Sequence, residues 1–361
     1  MKQYSWKWLT TVLMIALVGL LMVACGNDTT APDENKGEAP VQENNAPAQG
    51  EAPSIEGTTI QIIATSKADD VFAEFTKDTG VKVEYLDMSS GEVIARVRAE
   101  GGKPAADVWF GGGIDAFLAA KDEGFIQPYL SPETEHIPAM YFDPEGYWTG
   151  FDKVITGFIV NTDVLKEKGL TAPATWNDLA KPEYQGEILM SSPAISGTNY
   201  AVVNGLIQAK GDEAWDIFHG IGENAPFFGK RGSEPSNKTV AGEVGIGITY
   251  INGGIIQLMD EHPVQVIYPE DGIPWVPACI SIFNGTDNVE GSKAFVDWVL
   301  SKKGQEFLRD YNQALPVRDD VEMPEILKDF PADRLYEVDF SLFGTQRDAI
   351  LTRWAEEVEK Q

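Results

Sequence analysis

The residues whose types could do chemistry in this chain gather in short polar turns. Ser196-Gly197-Thr198 sets two hydroxyls and one residue without a Cβ at the start of an amphipathic stretch running to Lys210. The first turn of a helix leaves backbone N–H groups unpaired, and a helix N-terminus carries roughly half a positive charge, so this turn could cradle a phosphate, phosphonate or carboxylate. The same three residues would equally cap a helix that binds nothing. Thr65-Ser66 and Gly111-Gly112-Gly113 each follow an apolar run of strand character, Thr59 to Ala64 and Asp107 to Phe110. The glycines would let backbone approach a ligand closely, or simply turn the chain. In Gly229-Lys-Arg-Gly-Ser233, Arg231 can fork onto two oxygens of one anion and Ser233 adds a hydroxyl; an ordinary surface pairing with one of many carboxylates is the other reading. Tyr250 and Asn252 stand at the end of a further run that begins at Glu243.

Catalytic arrangements are not evident. His136, His219 and His262 lie on separate segments, and the chain has neither an H-E-x-x-H nor a G-x-S-x-G pattern. Without a nucleophile beside a base, or a cluster of metal ligands, an exported phosphate-ester hydrolase is the weaker expectation and no cofactor is expected.

The elements that must position these turns can be read from periodicity. Strand-like runs at 59–64, 81–86 and 107–110 alternate with helical stripes carrying Val71, Phe72 and Phe75, then Val93, Ile94 and Val97, which predicts a parallel sheet. Ligands of such sheets sit beyond the carboxyl ends of the strands, where Thr65, Ser66 and Gly111 to Gly113 fall. Further strands are expected at 154–160, 187–190, 243–250, 264–268 and 278–283. Helices are expected before Gly169, from Thr175 to Asp178 onward, after Ser196, near 236–241 and 255–259, and from Glu290 to the end.

The amino terminus begins with Lys2 and Lys7, continues through apolar Val12 to Ala24 and reaches Cys25, the layout of a secretory signal over 1–24 with a lipobox-like ending. Cleavage there would leave Cys25 as the lipid attachment site. Residues 25–57 are Ala, Pro, Gly, Asn and Glu with few aliphatics, an expected disordered acidic tether. Removing Lys2 and Lys7 takes the formal charge from −28 to −30, which argues against nucleic acid as a partner. The remaining length suggests two lobes. Cys279, in an apolar run, is expected as a buried small hydrophobe.

Several segments together resemble the type II periplasmic binding proteins, the solute receptors of ABC importers grouped with ferric iron, phosphonate and sugar-phosphate receptors. They are Gly91 to Glu100, Ala106 to Gly112, Gly150 to Asn161, Trp176 to Leu179, Ser192 to Thr198, Val240 to Gly245 and Leu315 to Arg318. The resemblance implies an α/β two-lobed fold with a discontinuous first lobe (58–157 and 283–361), a second lobe inserted at 158–282, crossovers near 150–158 and 275–283, and a ligand cleft between the lobes. It implies a monomeric, non-enzymatic lipoprotein on the outer side of the cell membrane. That protein would close over a small ligand and present it to an ABC permease. Hydroxyls, glycine amides and Arg231 favour a phosphorylated or phosphonate anion and no metal. Were the ligand ferric iron, Tyr250, Tyr200 and Tyr268 would be its ligands, although the adjacent tyrosines of ferric receptors are missing, since Ile251 follows Tyr250.

Overall fold

The structure, a computed structural model, describes residues 54–359. The signal, Cys25 and nearly all of the tether lie outside the described residues. Ten strands form one sheet: β1 (Thr59–Ala64), β2 (Lys82–Asp87), β3 (Val108–Gly113), β4 (Ile126–Gln127), β5 (Thr149–Asn161), β6 (Ile188–Ser191), β7 (Phe228–Gly229), β8 (Ile246–Ile251), β9 (Val264–Ile267) and β10 (Trp275–Phe283). Their order is β2-β1-β3-β10-β5-β8-β6-β7, with β4 beside β10 and β9 beside β5. β2, β1 and β3 pair in parallel, as the alternation of strands and helices predicts. The remainder corrects the expectation of a parallel sheet, because β10 runs antiparallel to β3 and β5, and β5 antiparallel to β8 and β9.

β5 and β10 join the two lobes. The first half of β5 pairs with β10, while its second half pairs with β8 and β9, so a single strand runs from one lobe into the other. Every residue of β10 is buried, including Cys279 and Pro277, as befits a strand covered on both faces. A register shift between Ala278 and Cys279 marks the pairing of β10 with β5. β2, by contrast, is a half-exposed edge strand with polar positions on both faces.

Two apolar layers hold the sheet. On one side Phe72, Phe75, Phe110 and Phe295 interlock, with Phe110 stacked on Phe151 at 4.5 Å. On the other, Trp109 stacks on Phe117 at 4.3 Å and Phe158 meets Trp176 edge to face at 4.8 Å. Burying each such ring contributes about 2–3 kcal/mol.

Three further expectations change. The Gly111 to Gly113 stretch is the end of β3 rather than a loop, and Gly113 caps the helix Ile114–Asp122 directly. Thr175 to Asp178 opens only a single turn, Asn177–Ala180, because the Asp178 carboxylate accepts the Ala174 and Thr175 N–H groups at 2.9 Å and fixes a local turn instead. The stretch after Glu290 is helical over Val289–Leu300 and Lys302–Asn312 and then stops at Gln313, whose left-handed φ of 55° ends the helix. The last helix, Arg347–Glu357, packs Trp354 against Phe218 and Phe228.

Candidate functional site

A cavity of about 560 Å³ opens where the carboxyl ends of β1 and β3 face the turns of the inserted lobe. All twelve residues singled out from sequence line it: Thr65, Ser66, Gly111, Gly112, Gly113, Ser196, Gly197, Thr198, Arg231, Ser233, Tyr250 and Asn252. Crossover residues Phe151 to Val154 form part of its wall.

What organises the cavity is the direction of its helices. Ala68, Ser89, Gly113, Ser196, Ser233 and Asn252 all line it, and each is the residue from which a helix starts. Six N-termini therefore converge on one space and bring the positive ends of their dipoles to it within a strongly acidic chain. Acidic residues in the first turn offset this at four of them, but the helices starting at Gly197 and Gly253 carry none. Ser196 and Asn252 serve as caps, accepting the Asn199 and Ile255 N–H groups at 3.3 and 3.0 Å. The hydroxyls of Thr65, Ser66, Ser90, Thr198 and Ser233 line the cavity, and none has a protein hydrogen-bond partner among the described residues.

Glycine is required where the walls meet. Gly111 and Gly112 adopt φ of 87° and 96°, and a Cβ at Gly112 would overlap Ser90 Oγ. A Cβ on Gly197 would come 2.9 Å from the Gly113 nitrogen, so the two lobes touch backbone to backbone beside the cavity.

Arg231 is placed at the cavity but differs from the expectation of a free anion ligand. Its guanidinium donates to both carboxylate oxygens of Asp87, at 2.8 and 2.9 Å, across from the end of β2. Two more bonds run alongside: Ser89 Oγ donates to Lys230 O at 3.1 Å, and Gly91 N–H donates to Ile195 O at 3.1 Å.

The three tyrosines of the ferric alternative do not come together. Only Tyr250 lines the cavity, and burial raises its phenol above the usual range. Tyr200 is fully buried in the core, its hydroxyl donating to Phe343 O at 3.0 Å. Tyr268 packs on Phe330 outside the cavity lining, its phenol pushed up to about 12 by burial. No group of three or more His, Cys, Asp or Glu side chains able to hold a metal occurs among the described residues.

Sequence reasoning missed several lining residues. Asp152 and Lys153 sit on the crossover strand. Burial pushes the Asp152 carboxyl up to about 6, against the opposing pull of the Leu315 and Lys153 N–H groups and the Lys153 ammonium, and burial lowers Lys153 in turn. Tyr311, Asn312 and Gln313 arrive from the end of the helix Lys302–Asn312, from a position no local pattern announces. Ser89 and Ser90 were legible: Ser89 with Glu92 three positions on is a capping box, and Glu92 accepts the Ser89 N–H at 2.7 Å.

A family model described as bacterial extracellular solute-binding protein matches residues 103–338, more than half of the chain. An uncharacterized protein of Haemophilus influenzae is 30% identical over 311 residues, covering 83% of this chain and 88% of that protein. The periplasmic binding protein AfuA from Actinobacillus pleuropneumoniae, solved with fructose-6-phosphate bound, superposes with a TM-score of 0.80 at 28% identity, covering 84% of this chain and 99% of the other. Iron uptake protein A1 of Synechocystis is 25% identical over 272 residues, 69% of this chain and 72% of that protein.

Proposed function

The chain belongs to the bacterial extracellular solute-binding proteins, and from that premise we propose that its ligand is a small phosphorylated or phosphonate anion held in the cavity between the lobes. It is a solute-binding protein of the ABC-importer type that acts outside the cytoplasm. The observation that carries the ligand reading is the convergence of six helix starts on one cavity, where the hydroxyls of Thr65, Ser66, Ser90, Thr198 and Ser233 have no protein hydrogen-bond partner among the described residues. Backbone amides at helix starts and neutral hydroxyls suit a tetrahedral anion, because they donate hydrogen bonds without placing a compensating cation. Thr65, Ser66, Ser90, Gly111 to Gly113, Ser196 to Thr198 and Ser233 are the proposed contacts, with Tyr250 and Asn252 closing the far side. The match to a fructose-6-phosphate-bound structure supports the same class.

Engaging both lobes at once, the ligand favours the form in which they meet, and an ABC permease reads that form. We place the protein on the membrane through a lipid on Cys25, as a monomer. Isothermal calorimetry with fructose 6-phosphate and 2-aminoethylphosphonate tests the reading: binding of either is expected, and heat from neither discards it.

Ferric iron is the second reading, favoured by the Tyr250 phenol in the cavity wall and by the iron-uptake relative. A phenolate–iron charge-transfer band on adding ferric citrate, lost in Tyr250→Phe, would replace the first reading with this one.

A further inference from the structure

We propose that Asp87 and Arg231 form a clasp across the mouth of the cavity, holding the lobes together through each other and positioning the ligand contacts without touching the ligand. The proposal rests on the reading of the protein as a receptor whose lobes close. Asp87 ends β2 at the edge of the first lobe, and Arg231 lies in the turn after β7 at the edge of the second, 144 positions apart in sequence. The pairing is bidentate, at 2.8 and 2.9 Å, which leaves the guanidinium's forked face turned to a protein carboxylate rather than to the cavity. The turn that carries Arg231 is itself braced. Ser191 Oγ donates to Arg231 O at 2.5 Å, Thr249 Oγ1 donates to Gly232 O at 3.0 Å, and the Glu234 carboxylate accepts the Lys230 N–H at 2.8 Å. On the opposite side, Ser89 Oγ reaches Lys230 O and Gly91 N–H reaches Ile195 O, so three neighbouring ties cross between the same two edges.

Arg231 and Asp87 side chains are 38% and 27% exposed, so solvent screens the pair and its effect on closure is modest. A clasp of this strength suits a receptor that must reopen. It biases the closed form without trapping an empty one, and leaves the ligand's own contacts to decide the outcome.

Ligand-free closure is read by single-molecule energy transfer between dyes on Lys103→Cys and Glu213→Cys, exposed positions on the two lobes, in the full chain carrying Cys25→Ser. The double substitution Asp87→Ala with Arg231→Ala removes both charges, so no unpaired ion confuses the result. It should shift the ratio of closed to open molecules about two- to fivefold toward open, and the shift should shrink in 1 M NaCl. The exchanged pair, Asp87→Arg with Arg231→Asp, should restore at least half of the native ratio. A native ratio in the double variant would overturn the clasp, whatever the cavity binds. Fructose 6-phosphate supplies the second arm: the double variant should raise its dissociation rate about two- to fivefold. A loss of a hundredfold or more, unrestored by the exchange, would mean that Arg231 grips the ligand directly.

Discussion

At the scale of single residues, the proposed ligand contacts are chiefly hydroxyls and backbone amides, which donate hydrogen bonds while carrying no charge. Thr198 lies in the first turn of the helix Gly197–Lys210, and its hydroxyl has no protein partner among the described residues, so removing it costs the fold no hydrogen bond there and a bound anion one. A hydrogen bond to a charged group is worth about 1.5–3 kcal/mol. Thr198→Ala should therefore weaken a phosphorylated ligand at least tenfold by calorimetry while leaving the melting temperature unchanged. Gly112 is the opposite case, since its left-handed backbone and its closeness to Ser90 Oγ leave no room for a methyl group. Gly112→Ala should lower stability by about 1–3 kcal/mol and abolish binding, seen together in a thermal melt with and without ligand. Asp152 gives the site a pH dependence. Its carboxyl holds a proton up to about 6 in the folded chain against 3.8 in the unfolded one, so the native state binds the extra proton. Its contribution to stability therefore grows as pH falls from about 7 to 4 and is lost as pH rises through 6. Asp152→Asn keeps an acceptor for the Leu315 N–H without the buried charge. It should raise the melting temperature at pH 8 by about 2–4 °C and flatten that slope in a pH series of melts.

At the scale of elements, β5 and β10 carry the design. A 13-residue strand that changes partners halfway leaves each lobe its own hydrogen-bonded neighbours, while the shared stretch between them can bend. The helix Lys302–Asn312 supplies a further wall of the cavity, and its end meets Gly253, where a Cβ would overlap the Gln313 side chain. Gly253→Ala should thus keep the lobes from meeting fully. The expected result is weaker binding of every ligand by a similar factor, measured by calorimetry with two chemically different probes, rather than a change in preference between them.

At the scale of the whole molecule, the chain is strongly acidic, so the proposed anion would be admitted by local donors at the helix starts against an unfavourable long-range field. Raising ionic strength screens that field more than it weakens the short contacts inside, and the association rate of a phosphorylated ligand should rise with salt in stopped-flow experiments. Cys25→Ser should release the protein from membranes into the medium, because the thioether anchor of the proposed lipoprotein would be lost; fractionation of cells expressing both forms checks this.

Local patterning told a great deal about where polar turns fall, because strand ends and helix starts announce themselves through hydroxyls, glycines and a switch of hydrophobic period. Thr65, Gly111 to Gly113, Ser196 to Thr198 and Asn252 were each legible for that reason, and all of them meet in one cavity. Strand direction was not legible beyond β3, since periodicity records which face is buried and not which neighbour a strand takes. Partnership across long sequence separations was equally hidden. No local signal pairs Arg231 with Asp87, removes Tyr200 to the core or brings Asn312 to the cavity, because those outcomes depend on how two lobes pack around a shared pair of strands. Sequence alone thus determined the kinds of polar group available at the turns, and the packing of the lobes decided which of them face the cavity and which face each other.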